Sequence, residues 1–288
     1  MPAEHSPKQT IVRRLILLLC LLRAAAAGAA QAPEPGQALV DRALANELQA
    51  AQDASHPMRY ILHKSSPRLI STKAICETRE GAVAMLLSIN DQPLNADDQQ
   101  KEQARLDALL ADAGLQKHRK QSEDADAARA LKVLRALPGA FLYQYTGGED
   151  SPSGKLAKFT FKPNPGFNPP DLETQVLAAM TGAIWIDIAH ERITRLEGHL
   201  ERDVDFGWGI LGRLYKGGSI TIEQADVGGG QWRMVRFQMQ MSGRVFFRTR
   251  VFDTTEEETQ FTAVPAGIGY AQAIQLLRDG AGGSSAGK

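Results

Sequence analysis

The chain has 288 residues, 43% hydrophobic and 23% charged, with 33 basic and 33 acidic groups. That is the makeup of a globular protein long enough to bury a substantial core. Residues 1–29 hold four of the basic groups (Lys8, Arg13, Arg14, Arg23) and one acid (Glu4), so the remainder has 29 basic and 32 acidic groups and a charge near −3. Without a basic excess, a nucleic-acid partner is not expected.

In chain order, the first thirty residues read as an export signal. Arg13 and Arg14 close a basic stretch, residues 15–22 form a short apolar core, and Ala27-Gly28-Ala29 is a small-residue cleavage site. Arg23 interrupts the apolar run well short of a membrane span. The mature chain is therefore expected to start near Ala30, to lack an integral span, and to reside in the periplasm or outside the cell. Cys20 lies inside the signal, which leaves Cys76 alone, without an intramolecular disulfide and suited to a small buried position. The expected organisation is a signal at 1–30, one α+β domain over 31–279 with a helical insertion at about 91–137, and a disordered tail at 280–288.

Residues 37–52 have helical periodicity, with Leu39, Leu44 and Leu48 near one face. Three strand-like runs follow at 58–64, 69–78 and 82–90, separated by turn chemistry at Ser66-Pro67 and Glu80-Gly81. Asn95 caps a helix carrying Leu106, Leu109 and Leu110, and a second helix runs through Leu131, Leu134 and Leu137 to a stop at Pro138-Gly139. The basic run 117–120 followed by the acidic run 122–126 reads as one helix end meeting another helix start. A short strand at 141–145, a polar loop at 147–154, a strand at 159–161 and a helix from Asp171 to about Ala179 come next. The rest is a train of strands at 182–189, 192–202, 218–226, 231–241, 244–253 and 257–264. Turns fall at 189–191, 228–230, Ser242-Gly243 and 253–256. A short helix at 270–278 precedes the tail.

The motifs that carry chemistry are mostly absent. Gly207-Trp-Gly209-Ile-Leu-Gly212 matches the dinucleotide fingerprint by letter, but only residues 213–216 separate it from another glycine pair, too few for the helix whose N-terminus would hold pyrophosphate. The six histidines show no metal-ligand spacing, and no G-x-S-x-G elbow is present. Asp203 and Asp205 form a carboxylate pair that could serve acid–base chemistry, with an ordinary surface pair as the plainer alternative. No cofactor is expected. Phe206, Trp208, Ile210, Leu211, Leu214 and Tyr215, interleaved with glycines, read either as a bent part of the core sheet or as an apolar pocket rim.

Ile184, Ile186 and Ile188 share one strand face, while Trp185 and Asp187 share the other, so helices or loops are expected over part of the second face. With Gly182-Ala-Ile-Trp-Ile-Asp187 and Arg192-Ile-Thr-Arg-Leu-Glu197 in view, the chain resembles the LolA-like periplasmic lipoprotein carriers over about residues 45–264. The resemblance implies an α+β fold: a large curved antiparallel sheet, an incomplete barrel, with helices packed on or closing its concave face. It also implies an exported, non-catalytic protein that binds a lipid or a lipoprotein acyl chain in an apolar cavity. Trp185, Phe206, Trp208, Ile210, Leu211, Leu214 and Tyr215 are the candidate ligand contacts. The alternative is an envelope structural or interaction module of the same fold with a filled core.

Overall fold

A computed structural model describes residues 35–206, 212–245 and 248–283. The expected signal segment and the last five residues of the expected tail lie outside the described residues.

Helix α1 (Pro35–Ala50) leads into four strands: β1 (Met58–Ser66), β2 (Leu69–Cys76), β3 (Val83–Ile89) and the two-residue β4 (Gln92–Pro93). Helices α2 (Ala96–Ala111) and α3 (Ala113–Ala140) follow, then β5 (Phe141–Ser151) and β6 (Gly154–Pro163). A short helix α4 (Leu172–Gln175) and a 3-10 turn (Val176–Ala179) enter the long strand region. That region comprises β7 (Met180–Asp187), β8 (Arg192–Leu200), β9 (Val204–Phe206), β10 (Gly212–Leu214), β11 (Ser219–Asp226), β12 (Trp232–Val245) and β13 (Arg248–Ala263), and α5 (Tyr270–Gly283) closes the described chain.

All thirteen strands join one antiparallel sheet in the order β4-β3-β2-β1-β13-β12-β11-β8-β7-β6-β5, with β10 and β9 branching from β12. The sheet does not close, and this is the curved, incomplete barrel of an α+β protein. Its two edges are β4 and β5, and α2 and α3 carry the chain from one edge to the other. The helical region 91–137 is thus the connection across the opening. At 28 residues, α3 is long enough to reach about 40 Å. Its first half is held beside β3, where Glu123 accepts from the Ala82 N–H (2.8 Å) and Arg119 donates to the Ala82 carbonyl (3.0 Å).

Two apolar clusters result. In one, Val40, Ala43 and Leu44 of α1 pack with Phe159, Phe161, Ile184, Ile186 and Leu200 of the sheet. In the other, Leu106 and Leu109 of α2 and Ile274 and Leu277 of α5 pack on Ala74, Cys76, Val83 and Met85. Directly paired residues share a sheet face, and the pairs Ile222↔Phe237, Phe237↔Glu256, Glu256↔Lys64 and Lys64↔Ser71 trace the face on which α1 sits. Ala74 and Cys76 alternate with that series, so α2 and α5 cover the opposite face. Burial pushes the Cys76 thiol up to about 11, which keeps it protonated and inert at neutral pH.

The hairpin of β7 and β8 is capped by Asp187, fully buried, whose Oδ1 accepts the N–H groups of Ala189 and His190 at 2.9 Å each. Glu191 takes the left-handed conformation (φ 52°) that closes the turn. Near the open end of the hairpin, Gly182 faces Gly198. A Cβ on Gly182 would stand 1.9 Å from the Glu197 carbonyl oxygen and 2.7 Å from the Phe161 ring. The glycine lets the strands approach and the sheet curl here.

Several expected boundaries move. Ser242-Gly243 is not a turn: β12 runs through it, and the close approach of β10, whose Arg213 carbonyl would lie 2.5 Å from a Cβ on Gly243, explains the glycine. Residues 253–256 are also strand, since Asp253, Thr254 and Thr255 pair with Gln240, Met239 and Gln238 and the threonines suit a pleated surface. The polar stretch from Gly147 belongs to β5, because a bulge between Tyr145 and Gly147 (φ 136°) absorbs the glycine without ending the strand. Helix α3 passes Pro138 and ends at Ala140, where Asn164 donates to the carbonyls of Gly139 (2.9 Å) and Ala140 (2.8 Å). Helix α5 extends to Gly283, so the expected tail is helical in its first four residues.

Replacing Gly182 by Ala should destabilise the fold by about 2 kcal/mol or more, because both clashing neighbours are backbone or core ring atoms that have little room to yield. Urea denaturation of the variant against wild type measures this.

Candidate functional site

Between α1, the second half of α3, the 3-10 turn and the sheet lies a cavity of about 940 Å³. The α3 wall is the stripe Ala130, Val133, Leu134 and Leu137, whose i, i+3, i+4, i+7 spacing places all four on one helix face. The sheet wall includes Ile193 and Leu196 of β8 and Ile220 and Ile222 of β11. Along β12 the lining extends from Trp232 to Met241, nine residues apart, or about 30 Å of strand.

The two ends differ in chemistry. One is apolar, formed by Phe206, Leu214 and Met241. The other carries Glu47, Arg192, Gln224, Trp232 and Arg233. Glu47 is almost fully buried, on the same stripe as Val40, Ala43 and Leu44. Its carboxylate accepts from Arg192 Nε (2.9 Å) and Nη2 (3.0 Å), from the Ile193 N–H (3.0 Å) and from Gln224 Nε2 (3.1 Å). Four donors replace the water that burial removes, which is the condition for keeping a carboxylate inside. Arg192 also lies 5.6 Å from the Trp232 ring centroid. Arg233 donates to the His56 carbonyl (2.6 Å), while its Nε is buried without a hydrogen-bond partner among the described residues.

Near this end, Glu258 is pushed up to about 7, chiefly by burial and further by Glu256 and Glu77, with Arg233 opposing. The same carboxylates and burial hold the neighbouring Tyr60 hydroxyl protonated well above its usual range. Lys64 pairs with Glu256 at 2.6 Å, so that carboxylate is the better compensated of the two.

The sequence-derived candidates scatter. Phe206 and Leu214 line the cavity. Trp208, Ile210 and Leu211 lie outside the described residues. Tyr215 does not line the cavity; its N–H donates to the Ser242 carbonyl (2.9 Å). Trp185 faces the opposite side of the sheet, in a groove of about 670 Å³ with Lys158, Thr181, Glu197 and His199. Its Nε1–H donates to Glu149, and Lys158 and Arg195 stand 4.6 and 5.3 Å from its ring. The second face expected to need helices or loops is thus covered at Trp185 by long side chains of neighbouring strands, whose aliphatic stems shield the ring. Asp203 and Asp205 both pair with Arg213, at 3.6 and 2.5 Å, across the β9–β10 hairpin, and the ion pair with Asp205 raises the Arg213 pKa further.

Glu47, Arg192, Gln224, Trp232 and the α3 stripe were not singled out from the sequence. One signal was present: Val40, Ala43, Leu44 and Glu47 have the spacing of a buried stripe, and a glutamate on such a stripe requires a buried cation. Among the described residues no three of His, Cys, Asp and Glu are placed to hold a metal ion, and no helix is long and apolar enough to cross a membrane.

No family model matches the chain, and neither does any curated protein. Among solved structures, the chain is similar to one from Vibrio parahaemolyticus described as a "putative outer membrane lipoprotein-sorting protein domain". It shares 9% identity with that structure, covering 82% of this chain and 96% of that one with a TM-score of 0.34. A DUF1329 family protein from Desulfovibrio piger aligns at 9% identity over 85% of this chain and 99% of that one, with a TM-score of 0.29.

Two outcomes are expected. Glu47→Ala should destabilise the protein by about 3 kcal/mol, since it leaves Arg192 buried without its counter-charge, whereas Glu47→Met with Arg192→Met should recover much of the loss; chemical denaturation of the three proteins measures this. The fold favours protonated Glu258, so its contribution to stability is complete below about 4.5, the ordinary carboxylate value, and is lost as pH rises through about 7. Glu258→Gln should therefore gain about 2 kcal/mol on wild type across that window, read from denaturation midpoints at the two ends.

Proposed function

We propose that the protein is an exported, non-catalytic carrier that holds a lipid or a lipoprotein acyl chain in the cavity between α1, α3 and the sheet. The observation that carries this reading is the cavity itself: about 940 Å³, lined mainly by Val, Leu, Ile, Met and Phe and polar at one end. Its size falls within the range of small-molecule sites, and each methylene an occupant buries there is worth about 0.8 kcal/mol. The arrangement suits an amphiphile. An acyl chain lies along Leu196, Ile220 and Met241, while its polar group meets Gln224 and Arg233 at the polar end. The alternative of the same fold with a filled interior does not account for the open volume.

Protein purified without detergent, extracted with organic solvent and read by mass spectrometry should release lipid. Leu196→Trp and Ile220→Trp each place a bulky ring in the cavity and should lower co-purified lipid several-fold at little change in melting temperature. Absence of lipid from wild type, or equal lipid in the folded tryptophan variants, would count against the carrier reading.

A further inference from the structure

At the far end of the β12–β13 hairpin the β13 arm runs past the end of β1. Strand β1 ends opposite Thr255, so residues 248–254 of β13 have a strand on one side only. Only β10 flanks the other arm there, with Gly212 opposite Val245 and Arg213 opposite Arg244. Everything described at this tip is exposed: Arg244, Val245, Arg248, Thr249, Arg250, Val251, Phe252 and Asp253. Val251 is 68% exposed, Val245 42% and Phe252 37%.

A projecting hairpin with bare valines and a phenylalanine is an association hazard that proteins ordinarily blunt. Here the apolar groups are interleaved with cations, and the register distributes both kinds to both faces. Met241, Gly243 and Val245 share a face with Phe252, Arg250 and Arg248, while Arg244 shares the other with Val251 and Thr249. Among the described residues Arg248 and Arg250 have no ion-pair partner, in contrast to Arg213, which Asp203 and Asp205 hold. Asp253 is the only acid among the described residues of the tip. The chain after residue 29, this tip included, sits near −3, so the positive charge is local to this end.

We propose that this tip is a docking surface for an anionic lipid bilayer, entered end-on. Arg248 and Arg250 meet lipid phosphates, and Val245 and Phe252 on their face and Val251 on the other enter the boundary between headgroups and acyl chains. A nucleic acid would reward the arginines and leave the apolar groups in water. A flat protein partner would engage one face of the hairpin and leave the other exposed. Met241, opposite Phe252, belongs to the apolar end of the cavity, so docking brings that end towards the membrane. The surface stands on the tip alone and does not require the cavity to hold lipid.

The test is sedimentation with sucrose-loaded vesicles of phosphatidylcholine, with or without phosphatidylglycerol, using protein purified from expressing cells with its N-terminus read by mass spectrometry. The quantity read is the gain in bound protein from neutral to anionic vesicles, which any residual apolar leader affects equally in wild type and variants. Wild type should show a gain that falls with added salt. Arg248→Gln with Arg250→Gln should lower partition about 25-fold, from about five-fold per arginine. Val251→Asn should lower it several-fold with charge unchanged, and Arg248→Lys with Arg250→Lys should retain most of it. All variants should keep the wild-type melting temperature and the wild-type content of co-purified lipid, which separates this surface from the cavity. No gain for wild type, or equal gain in the glutamine variant, overturns the proposal. So does insensitivity to Val251→Asn, the result expected of a purely electrostatic surface for a soluble polyanion.

Discussion

An antiparallel sheet of thirteen strands that curls without closing leaves two problems for the rest of the chain: a concave apolar face and a pair of free edges. The ion pair between Glu47 and Arg192 fixes how the first is handled. It fastens α1 to β8 inside the curve, and Gln224 of β11 and the Ile193 N–H add to the same carboxylate. A charged pair is a demanding fastening in an apolar interior, because either partner alone would be buried without compensation. Its geometric consequence is that α1 sits over one part of the concave face, against Phe159 and Ile184, and leaves the strip along β11 and β12 to be covered by other means.

The second problem is handled by connectivity. Since β4 and β5 are the edges and α2 and α3 join them, the chain itself crosses the opening. A helix crossing the opening cannot extend the backbone ladder as another strand would, and it stands off the sheet by the length of side chains on both surfaces. The stripe Ala130, Val133, Leu134 and Leu137 meets Leu196, Ile220 and Ile222 across that space, and the cavity is what remains. Its apolar character follows from the elements that bound it, each of which turns its hydrophobic face inwards. Its polarity at one end follows from the Glu47 cluster, which must lie where α1 ends.

Much of the fold was legible because local pattern and tertiary demand agree. Alternation of apolar residues marks β7 and β8, and the run Ala189-His-Glu191 marks their turn. Pattern and structure part where one residue type answers two different needs. Gly243 has the residue type of a turn, yet it serves the approach of β10; Gly147 serves a bulge inside β5. Trp185 looked like a ligand contact or a reason for a covering helix, and its ring is instead shielded by Lys158 and Arg195 from the adjacent strands. Such cover comes from residues paired across strands, which no linear window contains.

The sequence by itself determined the antiparallel α+β class, the strand train after residue 180 and the small, buried character of Cys76, because these depend on periodicity and residue type. It also placed Phe206 and Leu214 among residues suited to an apolar rim. Only the tertiary structure decided that the helical region bridges the sheet edges, that Glu47 meets Arg192, and that the cavity runs along β12 with unlike ends. It alone set the β13 arm of the hairpin tip beyond the end of β1. Each of these depends on which strands become neighbours and in what register. Residues 145 positions apart, such as Glu47 and Arg192, meet only once the sheet has curled.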